Sequence, residues 1–159
     1  MAILSEQTMC EVLYSQWFQE GKMVTKELVI PVQDSFCFDS FYLDGRKRVR
    51  IDLAVYEEDK DLITFVEVEN GLWMQHPTIY LQFCDYLYLA APYCDFSYRS
   101  EQVEWGKNKG IGIIEFCENK RAITTQTATF NPMHPKMKEL VRSLIVRKCI
   151  KEKKKVGRE

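Results

Sequence analysis

Three carboxylates sit in two neighbouring apolar runs: Asp52 within Arg50-Ile51-Asp52-Leu53-Ala54-Val55, and Glu67 and Glu69 within Ile63-Thr64-Phe65-Val66-Glu67-Val68-Glu69. Runs of this composition read as strands, in which residues i and i+2 share a face. Glu67 and Glu69 are therefore expected on one face with Val66 and Val68 on the other, and Asp52 is expected opposite both Ile51 and Leu53. Carboxylates displayed together repel unless a cation lies between them, and a hard divalent metal is the simplest candidate. A metal that hydrolyses phosphodiesters needs carboxylates to hold it, an open position for water, and a group that orients or deprotonates that water. Asp52 and Glu67 are the candidate ligands, the Val68 carbonyl offers a neutral oxygen, and Glu69 suits a second ion or the role of general base. A shell made only of oxygen favours Mg²⁺ or Mn²⁺ over zinc.

The surrounding elements must hold these groups in place. Ser5 is a helix cap for a segment running to about Glu20, with Leu4 and Met9 as a hydrophobic staple, Met9, Val12, Leu13 and Trp17 as the buried stripe, and Gly21 as the stop. Glu11 lies beside that stripe, either an outer metal ligand through water or a surface acid near Lys22 or Lys26. Strands are expected over Lys26–Val32, Ser35–Leu43, Arg48–Tyr56 and Leu62–Glu69, the last continuous enough in apolar character to be central. Pro77 fits the first position of a helix running to about Asp85 or Tyr86, followed by a buried strand over Leu87–Ala91. A short helix over Ser100–Lys107, strands over Gly110–Phe116 and Ala122–Ala128, and a helix opened by Pro135 complete one α/β layer architecture. On the expected helix after the acidic strand, Gln82 and Tyr86 are four residues apart and share a face. Either suits a hydrogen bond to a scissile phosphate or to the attacking water, while Tyr86 also fits plain core.

A chain of 159 residues with 46% apolar and 28% charged residues is a single domain with a full core. The start, Met1-Ala2-Ile3-Leu4, lacks the pattern of a signal peptide and no run approaches a bilayer span, so a soluble, cytoplasmic protein is expected. The six cysteines contain no CxxC pair, which points to reduced thiols rather than a zinc site or a disulfide framework. A net charge of −1 hides an asymmetry: Lys136–Glu159 holds ten Lys/Arg against three Asp/Glu. This basic C-terminal helix and tail (133–159) can neutralise phosphates through residues such as Lys151 and Lys153, or simply be a solvated helix end. Arg48 and Arg50, beside the metal strand, fit either phosphate contacts or salt bridges to the local acids. His76 and His134 each precede proline and read as cap or surface residues, and Trp73 as an aromatic lid or a base-stacking ring. Gly110-x-Gly112 does not continue into a phosphate-cradling loop.

The order Asp52, then Glu67-Val68-Glu69, then Gln82-Phe83-Cys84-Asp85-Tyr86 resembles the PD-(D/E)XK nuclease superfamily. Phe83–Pro92 and Gly110–Ile114 resemble its small MmcB-like DNA-repair branch, and Gln82 with Tyr86 is similar to the QxxxY element of its RecB-like branch. The resemblance covers roughly residues 5 to 127 and leaves the basic helix outside. It implies a restriction-endonuclease-like core of helix, three-strand meander, helix and strand, with a mixed central sheet flanked by helices. It further implies a Mg²⁺-dependent deoxyribonuclease acting in DNA repair, restriction or processing, with DNA as partner and a homodimer where both strands are cut. Carried onto this chain, the metal ligands are Asp52 and Glu67, with Glu11 as the first-helix acid. Glu69 departs from the family, which usually has lysine there; the site loses one positive charge and gains one negative. Some restriction endonucleases of the superfamily carry this Glu-x-Glu form and remain active. The competing expectation is a nuclease-fold module that has lost catalysis and only binds nucleic acid or a protein partner.

Overall fold

The computed structural model describes residues 4–31, 48–70, 76–93 and 100–156. Helix α1 (Glu6–Gln19) begins where expected: the Thr8 N–H donates to Ser5 Oγ at 3.1 Å, satisfying one of the amides a helix start leaves open. It ends at Gly21, whose φ of +80° costs a residue without Cβ nothing. Then come β1 (Met23–Pro31), β2 (Arg48–Glu57) and β3 (Leu62–Val68), paired antiparallel in sequence order. The strand expected over Ser35–Leu43 lies outside the described residues, as does Trp73.

After β3 the chain forms a 3-10 helix (His76–Phe83) and re-enters the sheet as β4 (Tyr86–Pro92), parallel to β3. Helix α2 (Ser100–Asn108) crosses over to β5 (Gly112–Phe116), again parallel, and β6 (Ala122–Gln126) closes the sheet antiparallel. The result is a mixed α/β architecture with a six-stranded sheet in the order β1-β2-β3-β4-β5-β6. The long helix α3 (Pro135–Val156) is capped by His134, whose Nδ1 accepts from the Lys136 N–H at 3.2 Å. No helix of the described residues is long and apolar enough to cross a membrane.

Helices cover both faces. On one, Met9 and Leu13 of α1 pack on Val55, Val66, Val68, Ala90 and Phe116. On the other, Val141 and Ile145 of α3 and Phe83 of the 3-10 helix pack on Ile63, Phe65, Leu87 and Leu89. β3 is central, as its unbroken burial requires. The acid Asp85, wholly buried, is held by the Ile63 N–H at 2.9 Å and the Lys138 ammonium at 3.2 Å, which ties α3 to the start of β4. Among the described cysteines, Cys84 and Cys149 are buried, Cys10 and Cys117 half-buried, and all four are free thiols.

One break in alternation matters for the site. Val49 and Ile51 enter the core under α3, whereas Leu53 and Val55 enter the core under α1. The same switch occurs in the partner strand, between Leu28 and Val24, with Glu27 between them at a φ of +53°. Lys26 pairs with Leu53 and Leu28 with Ile51, so Glu27 and Asp52 occupy the same level of the ladder. A left-handed residue in an extended strand inverts the pleat. The expectation that Asp52 stands opposite both Ile51 and Leu53 is thereby corrected, because those neighbours go to opposite cores.

Gly112 explains the Gly110-x-Gly112 pattern by packing. A Cβ at Gly112 would lie 2.4 Å from the Tyr88 ring and 2.7 Å from the Ala128 backbone nitrogen. Gly112→Ala is expected to lower stability by about 2 kcal/mol, through overpacking against neighbouring strands. Urea denaturation with an unchanged m-value checks it.

Candidate metal centre

Strands β2 and β3 pair from Glu57 and Leu62 only as far as Leu53 and Val66. Beyond that level they part. In place of a backbone acceptor on β2, Asp52 Oδ2 takes the Val68 N–H at 2.9 Å. β3 instead continues along β4, where Glu67 is level with Leu89 and the Glu69 N–H donates to the Ala90 carbonyl at 3.0 Å. In a parallel ladder alternate residues bond to each side, so the Val68 N–H and C=O both turn toward the β2 side of the fork. Asp52, Glu67 and the Val68 amide are thus brought to one place.

Glu67 is only 7% exposed and hydrogen-bonds the Asp52 carboxylate. Burial, then that bond and the charges of Asp52 and Glu69, push its carboxyl up to about 10. Glu67 therefore carries the proton that lets two carboxyls touch. Its Oε2 is buried and has no hydrogen-bond partner. An orphan carboxyl oxygen beside a second carboxylate fits a cation, since a divalent ion would replace the proton and satisfy the oxygen left over. Among the described residues, no group of three or more His, Cys, Asp or Glu side chains is arranged to hold a metal.

On the first helix, Glu11 takes the surface-acid alternative, near Lys26, and not that of an outer ligand. Glu11 is half-exposed and ion-paired to Lys26 at 2.6 Å, with that ammonium also over the Tyr14 ring. It is Glu6, one turn earlier, that turns to the fork: its Oε1 accepts from the Asn70 N–H at 3.3 Å, next to Glu69. Cys10, four residues on along the same helix face, packs on the core containing Leu53, Val66 and Val68. Burial, followed by the charges of Asp52, Glu67 and Glu6, pushes its thiol up to about 12, which keeps it protonated and unreactive. The i, i+4 spacing of Glu6 and Cys10 beside the Met9–Leu13 stripe was the available signal.

Gln82 and Tyr86 are not on one helix face. The 3-10 helix stops at Phe83, where Gln82 directs its amide at the Ile79 carbonyl, and Tyr86 opens β4 opposite Thr64. Tyr86 stands three residues before Leu89, the partner of Glu67, hence about 10 Å along the strand. Its ring meets Phe130. The residue of this segment that reaches the fork is Tyr80: buried at 4% exposure, it donates to the Arg50 carbonyl at 2.7 Å, and its hydroxyl tempers the rise of the Glu67 carboxyl. Proximity in the fold brings it there, not the QxxxY spacing.

Arg48 and Arg50 are exposed on the stretch of β2 leading to Asp52. Lys151 and Lys153 are exposed near the end of α3, which runs along β1, the outermost strand among the described residues. There Lys148 donates to the Lys26 and Glu27 carbonyls, the Cys149 thiol approaches the Val24 carbonyl, and Thr25 donates to Glu152. The basic helix end is thus one strand away from Asp52.

No protein-family model and no curated protein sequence matches the chain. Among solved structures, it is similar to the SPO1766 protein of unknown function from Silicibacter pomeroyi, with a TM-score of 0.66 at 12% identity over 99% of this chain and 94% of that one. At that identity the likeness shows a shared fold. Pyrococcus furiosus SfsA, solved in complex with Ca²⁺, matches with a TM-score of 0.30 at 9% identity over 80% of this chain and 62% of its own, a level that carries no argument.

Proposed function

We propose that this chain is a restriction-endonuclease-like, metal-dependent nuclease that hydrolyses DNA phosphodiester bonds, with Mg²⁺ or Mn²⁺ as cofactor and DNA repair, restriction or processing as its setting. One observation carries the reading: a buried Glu67 carboxyl, with an orphan oxygen, bonded to Asp52 at the point where two strands part. Asp52 and Glu67 would hold the ion together with the Val68 carbonyl. Bound there, a divalent ion supplies Lewis acidity toward a phosphoryl oxygen and toward water. Glu69, the next acid on β3, would orient and deprotonate the attacking water, and Glu6 would hold the entry of α1 to the fork through Asn70. Arg48 and Arg50, exposed on β2, would take phosphates flanking the cut, and Lys151 and Lys153 would extend that contact.

A second reading, a nuclease-fold module that binds nucleic acid or a protein without cutting, is favoured by Glu69 where the resembling family has lysine, and by the lack, among the described residues, of a group of three side chains arranged to hold a metal. The two readings separate on one experiment. Linear, nicked, branched and single-stranded DNA are incubated with the protein and Mg²⁺ or Mn²⁺, with EDTA as control. Cleavage that EDTA stops is the expected result. No cleavage of any substrate, with binding that weakens steeply as salt rises, selects the binding module instead.

A further inference from the structure

The basic helix α3 holds one lysine apart from its neighbours. Arg147, Lys151 and Lys153 are exposed, whereas Lys148 is half-buried against β1. Its ammonium donates to the Lys26 carbonyl and to the Glu27 carbonyl, the latter at 2.9 Å. Successive carbonyls of a regular strand point to opposite sides, so one ammonium does not ordinarily take two in a row. Here it does, because Glu27 has a φ of +53°, in the left-handed region that residues other than glycine rarely adopt. Lys148 thus caps the backbone at the point where β1 turns over. The helix around it is seated by other contacts: Val141 and Ile145 enter the core, and the Thr25 hydroxyl donates to Glu152.

That point is level with Asp52. The neighbours Ile51 and Leu53 enter opposite cores, and the Asp52 side chain runs sideways to the Val68 N–H at 2.9 Å. The turnover in β1 and the turnover in β2 are therefore one feature, shared by two paired strands. Resting on the metal-centre reading above, we infer that Lys148 is a positioning residue: by capping the two carbonyls at Glu27, it holds the paired inversion of β1 and β2 that aims Asp52 into the fork. Supports of metal ligands are typically worth roughly 10- to 100-fold in affinity, and Lys148 stands one strand out from Asp52, so the lower figure applies. The sign of the effect is diagnostic. A lysine acting only through its charge would repel a divalent ion, and removing it would tighten binding.

The test is titration of the full chain with Mn²⁺ alone, followed calorimetrically and by the electron paramagnetic resonance signal of the free ion. Wild type is compared with Lys148→Met, Glu27→Gly, the double variant and Asp52→Ala. Methionine keeps an apolar stem against β1 and donates nothing. Glycine takes a positive φ without steric cost, so at position 27 it keeps the inversion without the ammonium. Expected are a roughly 10-fold loss of affinity in Lys148→Met, wild-type affinity in Glu27→Gly, recovery to near wild type in the double variant, and no binding in Asp52→Ala. Unchanged or tighter binding in Lys148→Met, with binding still lost in Asp52→Ala, overturns the role of Lys148 and leaves the metal centre standing. So does a loss in Lys148→Met that Glu27→Gly fails to restore, since loosening of α3 would then account for it. Mn²⁺ binding that is absent from the wild type, or unchanged in Asp52→Ala, overturns the metal centre and the inference together.

Discussion

Replacing Asp52 by alanine is expected to lower metal-dependent DNA cleavage by at least about 10³-fold, roughly 4 kcal/mol of transition-state stabilisation. The size follows from what the residue does at once. It is half of the carboxyl pair, and its Oδ2 also takes the Val68 N–H at 2.9 Å, so it sets the β3 arm as well as offering charge. Asp52→Asn separates the two functions. The amide oxygen can still accept from Val68, but the side chain no longer carries a charge, so the fold should keep its thermal midpoint while cleavage is lost. Rates measured for both variants on the preferred DNA check this, with circular dichroism to confirm folding. Undiminished, EDTA-sensitive cleavage by Asp52→Ala would sink the assignment.

The second large effect is on stability, and it has the opposite sign from most core substitutions. Burial and Asp52 hold the Glu67 carboxyl near 10, against 4.5 for an unperturbed glutamate. A raised folded-state value means that the folded protein keeps a proton the unfolded chain releases. The stabilisation is complete below pH 4.5 and is lost progressively as pH rises toward 10. By pH 7 the loss amounts to about 3 kcal/mol. Glu67→Gln keeps the shape, donates an N–H where the carboxyl donated its proton, and has nothing to titrate. In EDTA it is expected to be more stable than wild type by about 3 kcal/mol at pH 7 and by little at pH 4. Denaturant unfolding at several pH values reads the difference directly. A variant less stable than wild type at pH 7 would contradict the assignment of the proton to Glu67. The same proton must leave when a cation binds, so wild type titrated with Mn²⁺ at pH 7 should release about one proton per ion. Titrations in buffers of different ionisation enthalpy count it.

These two residues were legible from their types and spacing, because isolated acids in apolar strands have few structural explanations. The elements were legible for a similar reason. Ser5, Gly21, Pro77 and Pro135 mark boundaries by local backbone chemistry, and the apolar runs Arg48–Tyr56, Leu62–Glu69 and Leu87–Ala91 contain little that could be other than strand. Where the reading went astray, a local pattern was asked to settle a matter of three dimensions. Gln82 and Tyr86 share a helix face only if the helix continues, and it stops at Phe83 because Tyr86–Pro92 is drawn into the sheet beside β3. Glu11 and Glu6 flank the same stripe, and only the packing direction of α1 separates a residue paired with Lys26 from one bonded to Asn70. The pleat inversion at Glu27 and Asp52 has no signature in composition at all.

By itself, the sequence determined which carboxyls are available, that they lie on adjacent strands, and that a mixed α/β fold carries them, since periodicity and end signals act between residues a few positions apart. The tertiary structure alone decided that Asp52 and Glu67 touch, that the strands part between them, and that Glu6 and Tyr80 attend the fork. The physical reason is separation along the chain. The bonds that build the centre join residues 16, 30 and 64 positions apart: Asp52 to Val68, Arg50 to Tyr80, and Glu6 to Asn70. Contacts that long are made by the packing of whole elements.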